Sequence, residues 1–289
     1  MSVYQSVLAS LTDAIARGAD RYEMPWHAAP GRAALPMNAS TGVAYQGLNI
    51  LLLWGALEKR TYSTNLWATY KQWAALGAQV RRGERAVACV KWKDLPVDDG
   101  EDRRLLPLGF SLFNADQVDG FTTPEAQQQV DAVQAHAAAD AIVASLGIPI
   151  GYAGDQAYYR PAIDDIVMPE RWRFRDTSSG DATQNHYAVL LHECIHATGH
   201  KSRLDRDFQQ RFSTDARAFE ELVAEIGCAF ACARLGLHNK PRSDHAPYIA
   251  SWLKVLKDHP SVLSTAASQA QRACDFLFNR LAAPQQLAA

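Results

Sequence analysis

The segment His192-Glu193-Cys194-Ile195-His196 carries the residue types and spacing of a metal site. Its two histidines stand four apart in the apolar stretch AVLLHECIHATGH. On a helix, residues i and i+4 lie on one face about 6 Å apart, so both imidazoles can reach one small cation. A zinc ion held this way lowers the pKa of a bound water to about 7 and polarises a carbonyl. Glu193, one residue on, is placed to take a proton from that water and return it to a leaving amine. Val189, Leu190, Leu191 and Ile195 bury the helix, and ionisable groups beside them need a metal or a partner.

Two histidines need a third ligand. Metzincins put a histidine three residues after the glycine that follows the second histidine; here Gly199 is followed at that position by Ser202, which excludes that arrangement. His200 comes straight after the glycine, where a helix that ends at Gly199 turns it away. Downstream, Phe219-Glu-Glu-Leu-Val-Ala-Glu-Ile-Gly227 places Glu221 and Glu225 on one helical face, while Glu220 points about 100° from Glu221 and is expected in solvent. The spacing leaves both Glu221 and Glu225 open as the third ligand. For the charge that develops on a carbonyl oxygen, His186, Tyr187, Arg203 and Tyr248 are candidate stabilisers, and spacing selects none of them. Asp164 and Asp165 read as loop residues.

These residues need elements to hold them. Helices are expected over 183–198, 216–235, 248–256 and 261–281, with two short strands over 157–168. Upstream, an amphipathic helix is expected over 2–17 and a buried one over 49–60. A helix over 65–76 should stop at Gly77. The stretches 86–92 and 106–114 read as a hairpin with a long polar tip. Thr123-Pro124-Glu125 opens a further helix that Gly147 ends. The expected class is therefore α+β: a small α+β domain over 1–122, then a mostly helical domain over 123–289.

The net charge of -2 hides an asymmetry. Residues 1–93 hold 11 basic and 5 acidic residues, a net +6, and the rest hold 18 and 26, a net -8. That first stretch also holds five of the seven tryptophans (Trp26, Trp54, Trp67, Trp73 and Trp92), at least three of which belong in a core. Aromatic rings interleaved with cations suit single-stranded nucleic acid, with bases stacked and phosphates paired. The candidate contacts are Tyr45, Lys71, Trp73, Arg81, Arg82, Arg85, Lys91 and Lys93.

Five cysteines, an odd number without framework spacing, fit a reducing compartment, and Cys228 and Cys232 read as core thiols. The longest apolar run, 47–57, is too short to span a bilayer, and the N-terminus lacks a signal-peptide pattern. The expected location is cytoplasmic, without a membrane partner.

The pattern Glu-x-x-Ala-Glu resembles that of the zincins whose third ligand is a glutamate. It implies that Glu221 binds zinc and Glu225 orients a ligating histidine. More widely, PMNASTGVAYQGLNILLLW, WATYKQWAALGAQVRRGERAV, FNADQVDG, DDIVMPERWRF, HECIHATGHKSRLDR and FEELVAEIGCAFACARLG together resemble the ArdC-type antirestriction proteins of conjugative plasmids and the N-terminal regions of TraC-type primases. The resemblance covers nearly the whole chain. It implies an N-terminal single-stranded-DNA-binding domain and a C-terminal zincin-like metallopeptidase domain, protecting transferred DNA from restriction. It carries His192, Glu193 and His196 over directly and Glu221 by the acidic motif. Ala197 departs from the aromatic often found there, which leaves the ligands intact and alters the pocket. Three readings follow: a protease acting on an unknown protein at transferred DNA, a non-enzymatic DNA-binding protector with a vestigial metal site, or a general peptidase without a DNA role. Zinc is the expected metal, although two histidines and a glutamate accept other divalent ions.

Overall fold

In the computed structural model, residues 4, 5, 8, 9, 12, 15, 16, 34–95, 104–122, 132–174, 176, 180–206, 216–237 and 261–282 are described. The first half is organised by a long hairpin. Strands β4 (Val87–Leu95) and β5 (Arg104–Asn114) pair antiparallel with Val87 opposite Leu112. Strands β1 (Met37–Asn38) and β2 (Leu66–Ala68) extend it into a sheet of order β1-β2-β5-β4. A small ribbon of β3 (Gln79–Val80) and β6 (Val118–Asp119) lies beside it.

Helix α1 (Leu48–Lys59) packs on β4. It is apolar nearly all round because it is covered on more than one side: Ile50, Leu51, Leu53, Trp54 and Leu57 are buried. Asn49 makes a specific contact. Its amide donates to Val90 O at 2.8 Å, and its carbonyl accepts from Val90 N at 2.9 Å. That pair satisfies the open backbone of β4, the edge strand.

The stretch 65–76, expected as one helix, is split. Leu66–Ala68 is β2, and α2 (Tyr70–Ala75) begins only after Thr69. Thr69 Oγ1 accepts from Gln72 N while Gln72 Oε1 accepts from Thr69 N, a capping box that fixes the start.

The second half contains α3 (Ala132–Leu146), α4 (Ala182–Thr198), α5 (Ala216–Leu235) and α6 (Val262–Ala282). A three-stranded sheet of order β7-β9-β8 joins them: β7 (Ile150–Tyr152), β8 (Tyr158–Arg160) and β9 (Asp165–Met168). The expected start of α3 at Thr123 and the expected helix over 248–256 lie outside the described residues, as does most of the 2–17 helix. Within that first helix, Leu8 and Ile15 are helical and buried.

One hydrophobic core runs through both halves. Trp54 of α1 meets Phe230 of α5 with ring centroids 6.0 Å apart, and Gly47 N donates to Gln271 Oε1 of α6 at 3.2 Å. Cys89, Cys194, Cys228, Cys232 and Cys274 are all free and buried. Among the described residues, no helix is long and apolar enough to cross a membrane.

Candidate metal centre

Helix α4 starts where Asp181 caps it: Asp181 Oδ1 accepts from Gln184 N at 2.8 Å. It ends at Gly199, so His192 and His196 occupy its last two turns. Helix α5 crosses against it at Gly227. A Cβ at that position would lie 3.0–3.2 Å from the Ile195 side chain. The missing side chain permits the close approach that brings α5 carboxylates to the α4 histidines.

The two Nε2 atoms of His192 and His196 face each other at 3.2 Å. Glu221 Oε2 lies 3.6 Å from the first and 3.5 Å from the second. One ligand atom from each of the three residues falls within 4.8 Å of the others. Two imidazoles and a carboxylate, converging at a largely buried point, have the donor chemistry of a divalent-metal site. Glu193 is buried next to them.

Each histidine has its own carboxylate on the outer side. Glu225 Oε2 stands 3.6 Å from His192 Nδ1, and Glu220 Oε1 stands 3.2 Å from His196 Nδ1. Such contacts fix ring orientation and tautomer. Glu220 corrects the sequence expectation that it lies in solvent. Arg206 donates from Nη2 to Glu220 Oε1 at 2.7 Å and from Nε to Oε2 at 3.2 Å. The Arg206 side chain is only 1% exposed and also donates to Ile195 O at 2.7 Å. The 100° offset argued against Glu220 only if all carboxylates serve the same side of the histidines. His196 is rotated from His192 along α4, and its outer nitrogen meets a different face of α5.

The charges reinforce one another. Burial alone would lower the His196 pKa, but Glu220 and Glu221 outweigh it and raise it to about 10. Burial likewise opposes ionisation of Glu221, yet the two histidines hold its carboxyl well below the usual range. The centre is built to hold positive charge between its carboxylates.

The other candidates are engaged elsewhere. Arg203 bonds Asp164 in a paired contact, Tyr159 Oη at 3.2 Å and Ala197 O at 2.6 Å. This latches the β8–β9 turn to the end of α4, with Asp164 at φ 55°. Tyr187 is buried, donates to Asp140 at 2.6 Å and accepts from Arg171 at 3.2 Å. His186 is buried against Phe174 and Tyr187. His200 bonds Ser202 Oγ at 2.8 Å and lies outside the ligand cluster. Tyr248 lies outside the described residues.

In the first half, Arg82, Arg85, Lys71, Lys91 and Lys93 are exposed. Arg81 is partly spent on structure, pairing with Glu84 at 3.1 Å and Asp119 at 3.4 Å. Trp73 corrects the expectation of a base contact. It is 0% exposed, and its indole N–H donates to Phe113 O at 3.0 Å. Tyr45 is half-buried, its hydroxyl accepting from Asn38 at 3.0 Å and donating to Trp67 O at 3.3 Å. Among the described residues of this half, the large aromatic rings that are exposed are Tyr70 and Trp92. Exposure, which spacing does not encode, separates them from their buried neighbours.

Two family models match the chain in succession. Residues 1–135 match the model of the N-terminal domain of anti-restriction factor ArdC, and residues 137–269 match that of a zincin-like metallopeptidase. An uncharacterised protein of Sinorhizobium fredii, y4eC, is 44% identical over 286 residues, covering 95% of this chain and 91% of that protein. A DNA primase TraC of Escherichia coli is 35% identical over 95% of this chain, which spans only 20% of the primase. Two crystal structures of the antirestriction ArdC protein from plasmid R388 superpose over nearly the full length. The metal-free form has a TM-score of 0.77 at 34% identity, covering 98% of each chain. The Mn(II)-bound form has a TM-score of 0.76 at 36% identity, covering 99% of this chain and 100% of the other. With both halves matched in order and the whole fold shared, the chain belongs to the ArdC family of antirestriction proteins, with a zincin-like metallopeptidase domain.

Proposed function

We propose that this chain is a single-stranded-DNA-binding antirestriction protein whose second half is a zinc-dependent peptidase centre, acting on transferred DNA as it enters a host. The observation that carries the peptidase half is the convergence of His192, His196 and Glu221 with Glu193 buried alongside. In this reading the first three residues hold the ion. Two imidazoles and one carboxylate suit zinc, and the Mn(II) found in the R388 relative fits a donor set that accepts several divalent ions. The bound ion supplies Lewis acidity toward a carbonyl and acidity for a water. Glu193 takes up the proton and delivers it to the leaving amine. Glu225 and Glu220 hold the rings of His192 and His196 so that both Nε2 atoms stay directed inward.

The DNA-binding half rests on the charge asymmetry, on the exposed cations Lys71, Arg82, Arg85, Lys91 and Lys93, and on relatives that are an antirestriction protein and DNA primases. The functional division is 1–122 for DNA and 123–289 for the metal centre. The protein substrate would be a component present at the incoming DNA.

Glu193→Ala tests the reading. It should retain the metal and oligonucleotide binding while peptide-bond cleavage and protection from restriction are lost. Protection that survives undiminished would remove proteolysis from the mechanism and leave a DNA-binding protector.

A further inference from the structure

The surface of the first half carries an open groove of about 550 Å³, lined by Tyr70, Gln79, Val80, Arg82 and Phe113, with Arg81, Glu84 and Asp119 completing it. Tyr70 is 50% exposed yet firmly held. Its hydroxyl accepts from Gln79 Nε2 at 2.8 Å, and its ring meets Phe113 at 6.4 Å and 70°, an edge contact. Gln79 Nε2 also donates to Val80 O at 3.0 Å, so the amide that fixes the tyrosine is itself fixed. The result is an aromatic face displayed to solvent in a set orientation.

The groove's charges are not equivalent. Its two acids are already occupied, since Glu84 and Asp119 both pair with Arg81, and Gln117 Nε2 donates to the second oxygen of Glu84 at 2.9 Å. Arg82 is exposed, takes part in no ion pair among the described residues, and precedes the turn at Gly83, whose φ is 89°. An exposed aromatic ring and a guanidinium without an ion pair among the described residues thus share one groove whose acids are paired with Arg81. That pairing matches a nucleotide, which offers a π face and a phosphate together. A base inside a duplex has both faces covered by its neighbours, so only an unpaired base can lie on such a ring.

We propose that this groove is a base-binding subsite for single-stranded nucleic acid: one unpaired base stacks on Tyr70 and the adjoining phosphate pairs with Arg82. This rests on the DNA-binding reading above and gives it a location that does not involve the buried Trp73.

The test measures binding of a labelled oligothymidylate to the full chain across a salt series. Tyr70→Ala should weaken binding roughly 5- to 150-fold, the loss of one stacked base, without changing the salt slope. Tyr70→Phe should bind within about twofold of the parent, because the ring remains. Tyr70→Leu, which still covers Phe113 but has no π face, should lose as much as Tyr70→Ala. Arg82→Ala should flatten the dependence of log K on log salt by about 0.7. An abasic oligomer of equal length should not distinguish Tyr70→Ala from the parent. Should the parent bind and Tyr70→Ala bind equally well, the subsite is wrong and DNA binding lies elsewhere on the chain. Failure of the parent itself to bind oligothymidylate would overturn both readings.

Discussion

The two halves handle their polar residues in opposite ways. At the metal centre, ionisable groups are buried and linked in a chain: Glu225 to His192, His192 to His196 across Glu221, His196 to Glu220, and Glu220 to Arg206. In the first half, the cations stand at the surface while Trp54, Trp67 and Trp73 fill the core. Burying a charge is costly without a partner, so the first arrangement must be complete to exist at all. The second has no such requirement, and each surface cation contributes nearly independently. Single changes should therefore be severe and coupled in one half, and graded and additive in the other.

The largest effect is expected at the ligands. His192→Ala or Glu221→Ala should abolish metal binding, checked by metal analysis of the purified protein, while oligonucleotide affinity stays within about twofold. Next is Trp73→Ala, which should cost about 3–5 kcal/mol of stability in a denaturant titration, as the loss of a core indole does. If it instead lowers DNA affinity at unchanged stability, the assignment of Trp73 to the core is wrong.

Glu220→Gln and Arg206→Ala are expected to weaken metal affinity by about 10- to 100-fold, the range for groups that orient a ligand. The double variant should lose little more than either single one, because the two act in series through His196. Full additivity in a competition titration with a chelator would break that link. In contrast, Lys91→Ala and Lys93→Ala should each flatten the salt dependence of single-stranded-DNA binding by about 0.7, and together by the sum.

The smallest effect concerns pH. Burial, with the nearby Arg171, lowers the His186 pKa from 6.5 to about 4. The folded state thus favours the neutral ring, and below pH 6.5 the unfolded chain takes up a proton that the folded chain refuses. The His186 contribution to stability is full above pH 6.5 and declines as pH falls toward 4. His186→Gln should flatten the melting temperature over that window; an unchanged slope would show that His186 is not held neutral.

The same contrast explains what was legible in the sequence. The residues on α4 and α5 declare themselves because helical spacing fixes which side chains share a face. The expected helix over 216–235 agrees with α5, and α4 begins one residue before its expected start. The hairpin of β4 and β5 is legible from two largely apolar runs, the first carrying Val87 and Val90, around a polar tip. Glu220 is not, since its partner Arg206 lies on a separate loop, and only the fold brings them together. The split at Thr69 depends on a strand partner, Phe113 opposite Ala68, more than forty residues away. Tyr70 and Trp73 sit three apart on one short helix, yet one is half exposed and the other is sealed, a difference set by what packs over them. The expected class, α+β with a mostly helical second half, is the one found.

The central claim is that one divalent ion sits between α4 and α5, held by His192, His196 and Glu221. Metal content of the native protein, measured beside that of His192→Ala at equal folding, tests it most directly. The account predicts one ion per chain in the parent and none in the variant. Equal metal in both, or none in the parent after exposure to zinc, would contradict it.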